Sequence, residues 1–67
     1  MDIAEIFSET LKHILKAEPR GTQSRIADDL GIPRTAMNDF LGSRKPLSET
    51  KREQIANYLG YIYEVFI

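Results

Sequence analysis

Apolar residues in the first quarter of the chain recur at helical spacing. Ile3, Ile6, Phe7, Leu11, Ile14 and Leu15 form one stripe, and apart from Ala4 the positions between them are polar. Asp2, followed three residues later by Glu5, reads as an N-terminal cap for this first helix, and Glu18-Pro19 ends it. A second stripe, Ile26, Ala27 and Leu30, lies within "TQSRIADDL", residues 22–30. Thr22 is the expected N-cap, and Gly31 stands where a helix end needs positive φ. The pattern resumes at once in "PRTAMNDFL", residues 33–41, with Pro33 at the start and Gly42 closing it. After the polar loop "SRKP", Ser48 caps a fourth helix whose stripe is Ile55, Ala56 and Leu59, ended by Gly60. The last stretch, "YIYEVFI", is too short and too uniformly apolar for periodicity to choose between helix and strand. Neither repeats nor a linker are read from this pattern. The expected fold class is all-α, a compact bundle of about five short helices forming one domain over residues 1–67.

The informative break is at Gly31–Pro33. Two short helices joined by so tight a turn form a helix-turn-helix unit, with its core at about residues 22–42. Close crossing needs a very small buried side chain, which Ala27 supplies. Ile26, Leu30, Ile32, Met37 and Phe40 supply the apolar anchors, so Met37 and Phe40 read as core and not as a ligand box. In this geometry the second helix enters a DNA major groove while the first braces it.

Composition narrows the function classes. A chain of 67 residues holds only a thin core. With no Cys and a single histidine, His13, neither a disulfide framework nor a metal site is expected. No apolar run is long enough to span a bilayer and no basic leader is apparent, so a cytoplasmic protein without membrane association is expected. Ending inside an apolar run, the chain reads equally as a whole protein or as a domain of a longer one. The net charge of −1 argues mildly against nucleic acid. It conceals a gradient, because residues 32–52 carry five basic and two acidic side chains, and this positive segment begins at the break.

Residues 22–60 resemble the lambda-repressor-like (Cro/repressor-type) helix-turn-helix family. Gln23, Ile26, Ala27, Leu30, Gly31, Ile32, Met37 and Phe40 carry the likeness, together with "RKPLSETKREQIANYLG". The resemblance implies a bundle of about five helices that binds operator DNA, usually as a dimer. It implies that Gln23 contacts phosphate and buttresses a reading side chain. Arg34 and Thr35 would meet base edges, with Asn38 and Asp39 one turn further along. Ser43, Arg44 and Lys45 would clamp backbone phosphate. Asn38 has the chemistry for bidentate reading of adenine, and Asp39 either accepts from cytosine N4 or pairs with Arg34 or another basic residue when DNA is absent. Where many relatives end the recognition helix with Asn-Gly, this chain has Gly42-Ser43, which shifts the turn by one residue.

The expected function is therefore a sequence-specific, double-stranded DNA-binding transcriptional regulator, a repressor of phage or bacterial type acting by occlusion. A homodimer through residues 58–67 is expected, because so small a domain cannot bury that whole apolar run. The competing expectation is a protein-binding module of the same fold, an antitoxin or an adaptor. No catalytic constellation, cofactor or metal is expected. Asp28-Asp29, Lys51 and Arg52 read as solvated helix faces.

Overall fold

The structure, a computed structural model, describes Asp2–Ile67; Met1, the first residue of the expected domain, lies outside the described residues. The chain is all-helical: α1 spans Ile3–Ala17, α2 Thr22–Leu30, α3 Arg34–Leu41 and α4 Glu49–Tyr58. The segment left open between helix and strand is a single 3₁₀ turn, Tyr63–Phe66. There are thus four α-helices and one short 3₁₀ turn, and no strand among the described residues.

Local chemistry sets most of the boundaries. The Asp2 carboxylate accepts from the Ala4 N–H at 3.3 Å, and the acid suits the positive end of α1. Glu18 is extended ahead of Pro19, which stops α1. Ser48 Oγ accepts from Lys51 N–H at 3.3 Å and opens α4. The start of α2 departs from expectation. Gly21 occupies the cap position at φ +90°, and the Thr22 hydroxyl instead donates backward to the Pro19 carbonyl at 2.8 Å.

Helix α2 ends in two backbone bonds. Gly31 N–H donates to the Asp28 carbonyl at 3.3 Å and Ile32 N–H to the Ala27 carbonyl at 2.8 Å, with Gly31 at φ +69°. Ile32 then buries beside Ala27, the apolar contact that accompanies this helix end. The same arrangement closes α4. Gly60 N–H donates to Asn57 at 3.0 Å, Tyr61 N–H to Ala56 at 2.9 Å, and Gly60 has φ +89°. Both ends are written by one phrase, Ile-Ala-x-x-Leu-Gly, at 26–31 and 55–60. The expectation of no internal repeat is corrected on this point.

Phe7 is the hub of the core. It is fully buried, stacks on Phe66 with centroids 4.6 Å apart, and lies against Phe40 at 5.9 Å and Tyr63 at 5.6 Å. Leu11, Ile26, Ala27, Ile32, Met37, Ile55 and Ala56 complete the cluster. Helix α2 packs on α3 and α4, while α1 packs on α3 and the 3₁₀ turn. Arg52 is not the solvated side chain expected. Its guanidinium donates to the Tyr63 hydroxyl at 2.9 Å and to the Leu47 carbonyl at 2.6 Å, tying the C-terminal segment to α4.

Gly42 and Ser43 have exchanged the conformations their side chains favour. Gly42 ends α3 at φ −84°, whereas Ser43 takes φ +59°. Left-handed backbone costs an L-residue roughly 1–2 kcal/mol, and glycine avoids that at some entropic cost. Ser43→Gly is therefore expected to stabilise the domain by about 0.5–1 kcal/mol and raise its melting temperature by a few degrees; a lowered melting temperature contradicts the assigned geometry. Ala27 is 1% exposed and belongs to the buried core cluster where α2 meets its neighbours. Ala27→Leu should cost about 1–3 kcal/mol in thermal or denaturant unfolding, and a parent-like melt rules out the close packing described here.

Candidate nucleic-acid interface

Helix α3 buries Met37 and Phe40 and turns Arg34, Thr35 and Asn38 outward, with Asp39 half-buried at their edge. The four lie within roughly 140° of the helix circumference, at about 100° per residue. Pro33 has no N–H and sits at the N-cap, and the Met37 N–H donates to its carbonyl at 3.0 Å. Arg34 is thereby the first helical residue after the turn.

Three pairings hold the sequence-predicted residues, two of them among themselves and the third from Arg34 to Asp28. Gln23 Nε2, at the start of α2, donates to Asn38 Oδ1 at 2.7 Å. Arg34 donates twice to Asp28, Nε to Oδ1 at 3.3 Å and Nη2 to Oδ2 at 2.8 Å. Arg44 Nε donates to Asp39 Oδ1 at 3.0 Å, and Arg44 Nη2 to the Asn38 carbonyl at 3.4 Å. Asp39, expected to pair with Arg34 or another basic residue, takes Arg44, while Arg34 goes to Asp28. Thr35, Ser43 and Lys45 are exposed, and among the described residues their side chains have no hydrogen-bond partner. Between α2 and α3 lies a notch of about 60 Å³, lined by Gln23, Ser24, Ala27, Arg34, Met37 and Asn38.

Gly42 has an ordinary φ, and what lies against it is the far end of the exposed Arg44 side chain. A Cβ at this position would stand 2.7 Å from Arg44 Nη1, so the missing side chain lets the guanidinium fold back towards Asp39. The shift of one residue expected at Gly42-Ser43 is not seen: Gly42 ends α3 at φ −84° and the left-handed residue is the second of the pair, Ser43.

Electrostatically the positive segment is much reduced. Asp28 reaches in from α2 and neutralises Arg34, and Asp39 does so for Arg44. Lys51 Nζ donates to the Leu30 carbonyl at 3.4 Å, at the negative end of α2, and Arg52 is spent on Leu47 and Tyr63. Among the basic residues of 32–52, Lys45 alone has no such contact among the described residues. The hydrogen bond from Arg34 holds the Asp28 carboxyl below its ordinary value, and the same bond holds Arg34 above its own. Because the folded value of Asp28 is depressed, the pairing is intact above the ordinary carboxylate range and is lost as pH falls through the lowered value.

Sequence reasoning missed the role of Asp28 and Asp29. Both stand in the last turn of α2, where acids are unfavourable against the helix dipole. Asp28 takes Arg34, and Asp29 accepts from the Tyr58 hydroxyl at 2.6 Å, which raises the Tyr58 phenol above its ordinary value. Among the described residues no three His, Cys, Asp or Glu side chains are grouped to hold a metal, and no helix is long and apolar enough to cross a membrane. Comparison of the chain with protein-family models, with curated proteins and with solved structures found no match.

Proposed function

We propose that the chain is a sequence-specific double-stranded DNA-binding regulator, acting as a repressor by occupying an operator, with α2–Gly31–α3 as its helix-turn-helix unit. The observation that carries this reading is the outward row Arg34, Thr35 and Asn38 at the start of α3, braced from α2 by Gln23 and Asp28. An eight-residue helix that buries one side and turns three polar side chains outward, two of them bonded to α2, has the form of a groove reader. Arg34 is suited to guanine O6 and N7, and the Asn38–Gln23 amide pair to adenine. Lys45 and Ser43, exposed beyond the end of α3, are suited to phosphate.

Size supports binding as a pair. The longest dimension of the protein is 28 Å, less than the roughly 34 Å separating successive major grooves on one face of DNA, so one copy covers one half-site. The C-terminal segment offers a surface for the second copy: Ile62 is 67% exposed and Val65 65% exposed, beside the buried Phe66. A homodimer through residues 58–67 is expected to sediment at twice the monomer mass at micromolar to millimolar concentration. Ile62→Asp/Val65→Asp should return it to monomer with the fold intact, and a parent chain that stays monomeric throughout this range removes the dimer from the account.

The same exposed apolar residues, with two of the five local cations, Arg34 and Arg44, paired with carboxylates, are what favours the second reading, a protein-binding module. Affinity measured against a duplex selected from random DNA, and against a scrambled duplex over a range of salt, separates the two. Arg34→Ala should lower operator affinity on the order of tenfold and relax preference at one base pair per half-site. Lys45→Ala should weaken both duplexes alike and make the log–log salt dependence shallower by about one unit. If neither substitution matters, the face is not a DNA surface and the protein-binding reading takes its place.

A further inference from the structure

Arg34 and Asp28 meet in a specific way. Asp28 takes the side of the guanidinium formed by Nε and Nη2. The end, formed by Nη1 and the second hydrogen of Nη2, has no acceptor among the described residues. We propose that Asp28 is a positioning residue for base readout: it fixes the plane of Arg34 and leaves only the end-on pair of donors to meet a guanine's O6 and N7. The inference rests on the DNA-binding reading and assigns to α2 a residue that sets specificity on α3.

Three observations support a role in recognition over one in stability. The pair is open to solvent, with the Arg34 side chain 65% and the Asp28 side chain 56% exposed, and such ion pairs add little to folding. Asp28 is also misplaced for its own helix, since an acid in the last turn opposes the dipole. Finally, on a DNA-facing surface an unpaired acid repels phosphate. Bonded to Arg34, it cancels that residue's charge instead, so Arg34 adds almost nothing to sequence-independent attraction. What Arg34 contributes must then come from matched hydrogen bonds, and binding to wrong sequences is weakened relative to the right one. Two adjacent donors in a fixed plane match O6 and N7 of guanine better than any other base edge in the major groove.

The reading makes the two affinities move in opposite directions. Asp28→Ala frees the guanidinium and removes a negative charge. Affinity for scrambled duplex should rise several-fold with a steeper salt dependence, while affinity for the selected operator should fall, so that the discrimination ratio drops on the order of tenfold. Asp28→Asn keeps one acceptor for Nε and should fall between parent and Asp28→Ala. In an Arg34→Ala background, Asp28→Ala should leave the ratio unchanged. A rise in both affinities with the ratio preserved makes Asp28 a mere repulsive charge and overturns the proposal while DNA binding stands. A lowered melting temperature of the free protein with base preference unchanged makes it a staple across the turn, which also overturns it. A parent protein that shows no salt-dependent, sequence-dependent binding removes the DNA reading itself, an outcome that the parent curves separate from the others.

Discussion

The 2.8 Å hydrogen bond from Ile32 N–H to the Ala27 carbonyl organises the rest of the structure. It forms only if Gly31 adopts positive φ, which glycine does without a Cβ penalty. Once formed, it folds the chain back on α2 and drives Ile32 into the core beside Ala27. Helix α3 then has one available course, across α2 with Met37 and Phe40 inward. Everything on the outer face follows from that course. Arg34 emerges six residues after Asp28 yet within bidentate reach of it, and Asn38 comes level with Gln23, fifteen positions earlier. Residues far apart in sequence meet because one turn removes the distance between them.

The same turn is used a second time, to different effect. At Gly60 it directs the chain away from α4 and into the 3₁₀ turn that places Phe66 on Phe7. The first turn presents polar side chains outward, and the second closes the core. Arg52 secures the closure by bonding Leu47 and Tyr63, and Thr10 donates to the Phe66 carbonyl at 3.4 Å. The core is small, and Phe66 is one of the large side chains that fill it. Phe66 is buried while its neighbours Ile62 and Val65 are left on the surface.

Much of this was legible in the sequence where the determining chemistry is local. Asp2, Ser48, Pro19, Gly31 and Gly60 each act on backbone within a few residues, and each does what its side chain, or lack of one, dictates. Thr22 misled because its hydroxyl found the Pro19 carbonyl before it could serve the helix. Charge misled for a different reason. The positive segment is contiguous only along the chain, and in space Asp28 enters it from α2, a proximity that exists only after the turn has formed. Arg52 and Lys51 were read as solvated because a sequence does not show which carbonyls lie within reach of a long side chain. For residues 61–67 apolarity hid the pattern, since a one-turn helix gives no periodicity to detect. The repeated Ile-Ala-x-x-Leu-Gly was visible all along, and its significance lay in the two helix ends it builds.

The account stands on α3 being the surface that meets DNA with Arg34 held by Asp28. A titration of isotopically labelled protein with its selected duplex, followed by nuclear magnetic resonance, observes both at once. The account predicts that amide shifts concentrate at Arg34, Thr35 and Asn38 and at Ser43–Lys45, and that the Arg34 Nε–H signal is sharp and slow to exchange both before and after binding. Shifts confined to Tyr61–Ile67 with α3 silent, or an Arg34 Nε–H that exchanges freely in the complex, would contradict it.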